Sequence, residues 1–388
     1  MTAPTQSVAE RVARLLREDL RGQTAYGAPQ LDVPVRLNTN ENSYAVPADV
    51  VAAITEAVAA CASELNRYPD REFTALREDL AAWLVDQTGI PVSAEQVWAG
   101  NGSNEVLQHV VQAFAGPGRV ALGFTPAYSM HPIISRTMGS TWVDGHRGGP
   151  NDPFELAATD VVDQVRATAP HVVFLCSPNN PTGTALDPQV VRAVLDAAPD
   201  TVVVVDEAYA EFARPGTPSA LSLLAAYPQL VVTRTMSKAF ALAGGRLGYL
   251  VAAPELIDAL RLVRMPYHLS SPTQAIARAA LAHRASLLAE VEAIKSQRDR
   301  IVDTLAALGF PPVASDANFV LYGGLADAAR TWSALLTRGV LVRDVGISHH
   351  LRVTAGTPEE TTAFLDAMAA LPADHRLVAP SPTRGAPA

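Results

Sequence analysis

The sequence predicts an α/β protein built on a mostly parallel, doubly wound sheet of seven strands. Seven apolar runs of strand length alternate with segments of helical periodicity, at residues 96–99, 119–123, 141–143, 171–176, 201–205, 229–233 and 248–252. The runs are continuous rather than alternating, which is typical of strands buried on both faces. Polar residues follow several of the runs, at the edge where open α/β sheets bind ligands.

The segments on either side of these strands predict a second, smaller α+β domain. After a long helical region at 272–308 come further strand-like runs, at 318–322, 340–343 and 351–354. The predicted boundaries are an N-terminal arm at 1–45 that belongs with the small domain, a large domain at 46–268, the small domain at 269–372 and a disordered, proline-containing tail at 373–388. The arm begins with an amphipathic helical pattern over residues 7–20, with one apolar face made of Val8, Val12, Leu15, Leu16 and Leu20.

Composition excludes several functional classes. Of the 388 residues, 48% are hydrophobic and 18% charged, enough for a large core, and the net charge is −9. A mildly acidic surface repels nucleic acid and anionic membranes. No apolar run approaches the about 18–20 residues of a membrane span, and charges among the first twenty residues argue against a signal peptide. We therefore expect a soluble cytoplasmic protein with neither nucleic acid nor membrane as a partner. Two cysteines, Cys61 and Cys176, predict neither a metal site nor a disulfide scaffold.

Lysine usage singles out one residue. Lys238 and Lys295 are the only lysines among 30 basic residues, so arginine serves wherever charge alone is needed. A lysine amine can lose its proton and attack a carbonyl, which arginine cannot do. Lys295 lies on a charged helical face and is expected to be solvated. Lys238 lies in an almost uncharged stretch, which favours either a chemical role or a buried ion pair.

Two segments after predicted strands carry further candidate chemistry. Residues 100–105 fit a phosphate cradle at a helix N-terminus, although an ordinary capped turn has the same pattern. Asp206 directly follows a strand, so its carboxylate needs a cationic partner unless it serves as a helix N-cap. The dinucleotide-binding and P-loop fingerprints are both missing, which argues against NAD and ATP enzymes.

Three motifs together resemble the fold-type-I aminotransferases that use pyridoxal 5'-phosphate. They are Ser177-Pro-Asn-Asn-Pro-Thr-Gly183, Asp206-Glu-Ala-Tyr209 and Thr235-Met-Ser-Lys-Ala-Phe-x-x-Ala-Gly-x-Arg246. More narrowly, the chain resembles the histidinol-phosphate aminotransferases of actinobacteria over about residues 10–370. The segments that carry this narrower resemblance are 17–22, 26–30, 37–42, 67–70, 128–131 and 341–346.

The resemblance implies a role for each motif residue. Lys238 would bind the cofactor as an internal aldimine and then move the substrate proton, Asp206 would pair with the pyridinium nitrogen, and Tyr209 would complete the catalytic set. Asn180 and Tyr209 would bond the phenolic oxygen, and Tyr128 would stack on the ring. The cofactor phosphate would be bound by Ser103, Asn104, Ser237 and Arg246, with Tyr68 from a second subunit of a homodimer. Thr235 is a further candidate phosphate ligand, ranked below Ser237.

The implied reaction interconverts imidazole-acetol phosphate plus glutamate with histidinol phosphate plus 2-oxoglutarate, in two half-reactions of histidine biosynthesis. Its substrate-binding residues would be Tyr26, Asn42, Arg343 and Arg352. A close alternative is an aromatic-amino-acid (phenylalanine) aminotransferase. A decarboxylase of phosphorylated substrates and a non-catalytic regulatory module that binds the same cofactor are more distant ones. For His131, beside Tyr128, a surface position is favoured over contact with substrate.

Overall fold

The computed structural model describes residues 7–148 and 152–377. The chain divides into two compact units, Met1–Leu31 and Asp32–Ala388. In the described part, the strands are β1 (Val35–Arg36), β2 (Val97–Gly100), β3 (Val120–Thr125), β4 (Thr141–His146), β5 (Val172–Cys176), β6 (Val202–Asp206), β7 (Leu230–Thr235), β8 (Gly248–Ala252), β9 (Phe319–Tyr322), β10 (Val340–Leu341) and β11 (Leu351–Thr354).

The α-helices of the same residues are α1 (Val8–Leu15), α2 (Ala48–Ala62), α3 (Thr74–Thr88), α4 (Ser103–Phe114), α5 (Met130–Thr137), α6 (Ala158–Thr168), α7 (Pro188–Ala197), α8 (Pro254–Val263), α9 (Ser271–Ala282), α10 (Arg284–Leu288), α11 (Val291–Ala307), α12 (Ala328–Thr337) and α13 (Pro358–Ala369). None of them is both long and apolar enough to cross a membrane.

The first unit contains α1, which starts at a capping box between Ser7 and Glu10. The helix ends at Leu15, earlier than the sequence pattern predicts, because Leu16 adopts an extended backbone, and a short 3-10 helix follows at Glu18–Leu20. Its apolar side chains are exposed, Val8 and Leu15 most of all.

The central sheet has seven strands in the order β2-β8-β7-β6-β5-β3-β4. Strands β7, β6, β5, β3 and β4 are mutually parallel, and β8 pairs antiparallel with both β2 and β7. Every residue of β5, β6, β7 and β8 is buried, so helices and loops cover both faces of the sheet. The prediction of a mostly parallel seven-stranded sheet is confirmed.

Two small sheets are formed by the remaining strands. β1 pairs in parallel with β10, which joins the segment after residue 31 to the C-terminal part of the chain. β9 and β11 are antiparallel, and an isolated bridge between Arg343 and Arg352 extends the pairing. Helices and strands are thus mixed after residue 268, and the division into a large and a small domain at residues 45 and 268 stays a prediction.

The C-terminal boundary differs from the sequence prediction. The predicted tail begins at residue 373, but Ala373–His375 form a 3-10 helix and the buried His375 ring bonds the Thr331 hydroxyl at 2.9 Å. Residues 373–377 of the predicted tail are therefore part of the fold, since a histidine contact holds a segment that composition alone gives no reason to fold. Residues 378–388 of the predicted tail lie outside the described residues.

Candidate active site

The carboxyl ends of β5, β6 and β7 bring the sequence motifs together. These strands are parallel neighbours, and Cys176 pairs with Asp206, which in turn pairs with Thr233. Residues that follow the three strands therefore share one edge of the sheet. A buried ion pair joins two of these ends, because Arg234 Nη2 lies 2.7 Å from Glu207 Oε2.

Asp206 is buried and has a partner on each carboxylate oxygen. Thr233 Oγ1 donates to its Oδ1 at 2.9 Å, and its Oδ2 lies 3.1 Å from Nε2 of His131. The His131 ring stacks on Phe174, with centroids 4.7 Å apart. The expectation of a surface position for His131 is wrong: α5 turns this side chain inward, and only 1% of it is exposed.

Tyr128 lies next to this pair. Its ring meets the His131 ring edge to face, with centroids 5.4 Å apart, and its hydroxyl donates to Asn104 Oδ1 at 3.3 Å. Asn104 belongs to the first turn of α4. Tyr128 thus connects the predicted phosphate-binding segment to His131, which in turn bonds the Asp206 carboxylate.

Lys238 has the environment of a reactive amine. Its Nζ donates to the backbone oxygen of Thr39 at 3.2 Å. Burial, together with the nearby positive charges of Arg352 and Arg246, lowers the pKa of Lys238 to about 8. Lys295 differs, since its Nζ forms an ion pair with Glu292 at 2.7 Å, although its side chain is less exposed than the predicted solvated face implies.

The Tyr209 hydroxyl accepts hydrogen bonds from two side-chain amides. Asn180 Nδ2 donates to it at 3.2 Å and Asn40 Nδ2 at 3.0 Å. Burial raises the pKa of Tyr209 to about 12, so the phenol keeps its proton at neutral pH. The contact with Asn40 was not predicted, although Asn40 lies inside the 37–42 segment of the resemblance.

Arg352 bonds the other end of Asn180. Its Nη1 donates to Asn180 Oδ1 at 2.5 Å, and its Nη2 donates to the backbone oxygen of Asn38 at 2.9 Å. The guanidinium lies 5.1 Å from the centroid of the Phe319 ring. Arg343 is the antiparallel partner of Arg352, with mutual backbone hydrogen bonds of 2.9 Å. Directly opposed residues project to the same face, so the two arginine side chains leave the backbone on the same side.

Three of the predicted phosphate-binding residues, Ser103, Asn104 and Arg246, lie at the start of α4. Gly102 precedes this helix with φ +84°, and a Cβ atom there would lie 2.6 Å from Arg246 Nη2, so the guanidinium lies directly against the glycine. Ser237 is buried and follows β7. Thr235 Oγ1 donates to Leu247 O at 3.3 Å and accepts from Ser237 N at 3.1 Å, so this hydroxyl already has partners within its own loop.

Three further predicted residues take no part in the hydrogen bonds given above. Tyr68 is 80% exposed and stacks on Tyr267, with centroids 4.5 Å apart. Asn42 donates to Ala239 O at 3.5 Å, next to Lys238 in sequence. Tyr26 belongs to the first unit, where its side chain is exposed.

Comparison with known proteins identifies the family. Residues 33–368 match the family model for class I and II aminotransferases. Histidinol-phosphate aminotransferases of Paenarthrobacter aurescens and Frankia casuarinae are 60% and 59% identical, over 93% and 91% of this chain and 96% and 89% of theirs. A solved histidinol-phosphate aminotransferase from Sinorhizobium meliloti, in complex with pyridoxal 5'-phosphate, superposes with a TM-score of 0.76 at 24% identity, covering 87% of this chain and 90% of that one.

These findings confirm both the fold and the resemblance predicted from the sequence. The chain belongs to the class I and II aminotransferases, and within them to the group of histidinol-phosphate aminotransferases that its motifs indicate.

Proposed function

We propose that the protein is a pyridoxal-phosphate-dependent aminotransferase that interconverts imidazole-acetol phosphate plus glutamate with histidinol phosphate plus 2-oxoglutarate. The observation that carries this proposal is a buried amine of lowered pKa, Lys238, beside a chain of bonds from Arg352 through Asn180 to Tyr209. Relatives that are 60% and 59% identical over almost the whole chain are named histidinol-phosphate aminotransferase.

The side chains fit pyridoxal phosphate part by part. Lys238 is a nucleophile for its aldehyde, and the buried Asp206 carboxylate is a partner for its ring nitrogen. Asn180 and Tyr209 would bond the phenolic oxygen, and Tyr128 would stack on the ring. The phosphate would be held by Ser103, Asn104, Ser237 and Arg246, where a glycine leaves room for the guanidinium and a helix N-terminus favours an anion.

When bound, this cofactor supplies an electron sink for the carbanion left after a substrate loses its Cα proton. The chain's own residues perform the other tasks. Lys238 takes up and returns the proton, since a pKa of about 8 leaves a fraction of its amine neutral at physiological pH. Asp206, held by His131 and Thr233, keeps a fixed negative charge opposite the ring nitrogen. The catalytic residues are therefore Lys238, Asp206 and Tyr209.

The substrate assignment depends on two adjacent arginines. Arg352 would bind the carboxylate of glutamate, and for histidinol phosphate, which has no carboxylate, it would bind the phosphate. A phosphate dianion needs more than one cationic donor, and Arg343 on the paired backbone is the second. Tyr26 and Asn42 are further proposed substrate contacts. An aromatic-amino-acid aminotransferase has no dianion to bind and gains less from Arg343.

A homodimer with shared active sites is part of the proposal. Tyr68 and Tyr267 form a stacked, solvent-facing aromatic pair, and Leu262 and Met265 nearby in sequence are also largely exposed. Exposed apolar side chains of this size favour burial against a second copy of the chain. In that assembly Tyr68 would reach the cofactor phosphate of the partner. The cytoplasmic location stays a prediction.

Two transamination assays with glutamate test the function. One uses imidazole-acetol phosphate as the amino acceptor and the other uses phenylpyruvate, with the same enzyme preparation. We expect a clear preference in kcat/KM for the phosphorylated ketone. A preference for phenylpyruvate would instead assign the protein to the aromatic aminotransferases.

A further inference from the structure

Three consecutive residues, Asn38, Thr39 and Asn40, each bond a different residue of the site. The backbone oxygen of Asn38 accepts from Arg352, the backbone oxygen of Thr39 accepts from Lys238, and the Asn40 amide donates to Tyr209. The proposed reaction assigns none of them a task. Of the three, Asn40 is the one that acts through its side chain.

The orientation of the Asn40 side chain is fixed by the small antiparallel sheet. Thr354 Oγ1, at the end of β11, accepts from Asn40 N and donates to Asn40 Oδ1, both at 3.1 Å. Asn318 Nδ2, just before β9, donates to Asn40 O at 3.1 Å. Because Oδ1 faces Thr354, the NH2 end of the amide must face Tyr209.

The Asn180 amide is oriented in the same way. Its Oδ1 accepts from Arg352, so its Nδ2 faces Tyr209 as well. A phenolic oxygen accepts through two lone pairs and has one proton to donate. With an amide donor on each side, the Tyr209 hydroxyl is left with donation as its only remaining hydrogen bond.

We propose that Asn40 is a positioning residue that makes Tyr209 a one-way hydrogen-bond donor to the phenolic oxygen of pyridoxal phosphate. The inference rests on the proposed cofactor but not on the identity of the substrate. The amide acts in two ways. The Asn40 amide prevents the Tyr209 hydroxyl from turning to another acceptor. By donating to the Tyr209 oxygen, it also makes the Tyr209 O–H group a stronger donor.

The same contacts connect Tyr209 to the strand of the substrate-binding arginine. Thr354, which holds Asn40, lies two residues after Arg352 on β11, so the two side chains leave the strand on the same face. Both asparagines that orient Tyr209 are thus held by β11, Asn180 through Arg352 and Asn40 through Thr354.

Two substitutions of Asn40 that are compatible with its backbone conformation test the proposal. The residue has φ +57°, which glycine adopts freely and aspartate tolerates. Asn40→Gly removes the donor, and Asn40→Asp keeps the shape but turns the donor into an acceptor that competes for the Tyr209 proton. Thr331→Val is the matched control, since Thr331 is a fully buried residue that bonds His375 and has no contact with the site.

The measurement is the pH midpoint of the visible absorption of the cofactor-loaded protein without substrate, together with the Kd of pyridoxal phosphate for the cofactor-free protein. A bond donated to the phenolic oxygen favours its deprotonated form, so losing it moves the midpoint upward. We expect a shift of about half to one pH unit for Asn40→Gly, a larger one for Asn40→Asp, and a Kd raised roughly three- to tenfold. Thr331→Val should lower Tm and leave the midpoint unchanged.

A double-mutant cycle with Tyr209→Phe separates positioning from a general structural effect. Without the hydroxyl, Asn40→Gly should no longer move the midpoint. A shift of equal size in the Tyr209→Phe background, or a loss of Tm in both Asn40 variants with no shift, would overturn the proposal. If the unmodified protein shows no visible band with pyridoxal phosphate, the proposed cofactor itself is wrong, which is a different result from an unmoved midpoint.

Discussion

His131 Nε2 lies 3.1 Å from Asp206 Oδ2, and both side chains are at most 2% exposed. With Thr233 on the other oxygen, the carboxylate has a protein partner on each side. A buried carboxylate held in this way cannot rotate without losing one bond in a site from which water is excluded. The Asp206 carboxylate is therefore fixed in orientation as well as in position.

Replacing His131 should weaken turnover without abolishing it. His131→Phe keeps an aromatic ring against Phe174 but removes the bond to Asp206. The charge of Asp206 remains, so we expect kcat to fall by roughly tenfold, which is about 1.4 kcal/mol. His146→Phe is a control on the exposed edge strand β4, where only the histidine backbone is bonded. An unchanged kcat in the His131 variant would show that the bond does not matter for the reaction.

Replacing Asp206 should have a much larger effect. Asp206→Asn keeps the shape but removes the negative charge opposite the proposed ring nitrogen, so turnover is expected to fall by several orders of magnitude while cofactor still binds. Asp200→Asn, at an exposed position shortly before β6, is the control. Steady-state kcat and cofactor absorption measured on both variants check the prediction, and near-normal turnover in Asp206→Asn would contradict the assigned role.

The lowered pKa of Lys238 predicts how its reactivity depends on pH. Only the neutral amine attacks an aldehyde, so in the cofactor-free protein covalent labelling of Lys238 by pyridoxal phosphate and borohydride should rise through pH about 8 instead of 10.5. Between these values the unfolded chain binds more protons at this residue than the folded one, so its contribution to the free energy of unfolding increases with pH. Mass spectrometry of the labelled peptides measures the midpoint. Lys238→Ala should lose label and turnover, whereas Lys295→Ala should lose neither; label on Lys295 would contradict the mechanism.

The sequence predicted the sheet because continuous valine-rich apolar runs such as those of β5 and β6 fit few positions other than the centre of a covered sheet. It also predicted which residues follow the strands, since motif spacing is a local property. The predicted ends of β4 and α1 were less accurate. β4 is a partly exposed edge strand and α1 a short helix with an exposed apolar face, and local patterns specify such elements weakly.

The missed residues have partners that are distant in sequence. His131 bonds a carboxylate 75 residues away, and Asn40 bonds Tyr209 across 169 residues. Nothing in the neighbourhood of either residue encodes the partner, because the fold alone brings them together.

Shared active sites predict complementation between inactive subunits. A Lys238→Ala subunit keeps Tyr68, and a Tyr68→Ala subunit keeps Lys238, so a mixed dimer rebuilds one intact site. Random mixing in equal amounts should restore about a quarter of the normal activity from two nearly inactive parents. Tyr68→Phe, which retains the stacking on Tyr267, separates loss of the hydroxyl from loss of the aromatic contact. A fully active monomer by light scattering, or no recovery on mixing, would contradict the dimer.

The paired arginines predict that the two half-reactions respond differently to one substitution. Arg343→Leu removes the second cation from a phosphate dianion, while a glutamate carboxylate still finds Arg352. We therefore expect the rate with histidinol phosphate to fall tenfold or more, about 1.4 kcal/mol, and the rate with glutamate to fall less. Single-turnover spectroscopy measures the two rates separately. Arg338→Leu is the matched control, since this exposed arginine of the same region bonds only the backbone of Ala334. One bidentate guanidinium is enough to bind a carboxylate, so glutamate does not need Arg343. Equal losses with both substrates would therefore mean that Arg343 does not recognise phosphate. The aromatic alternative would then be favoured.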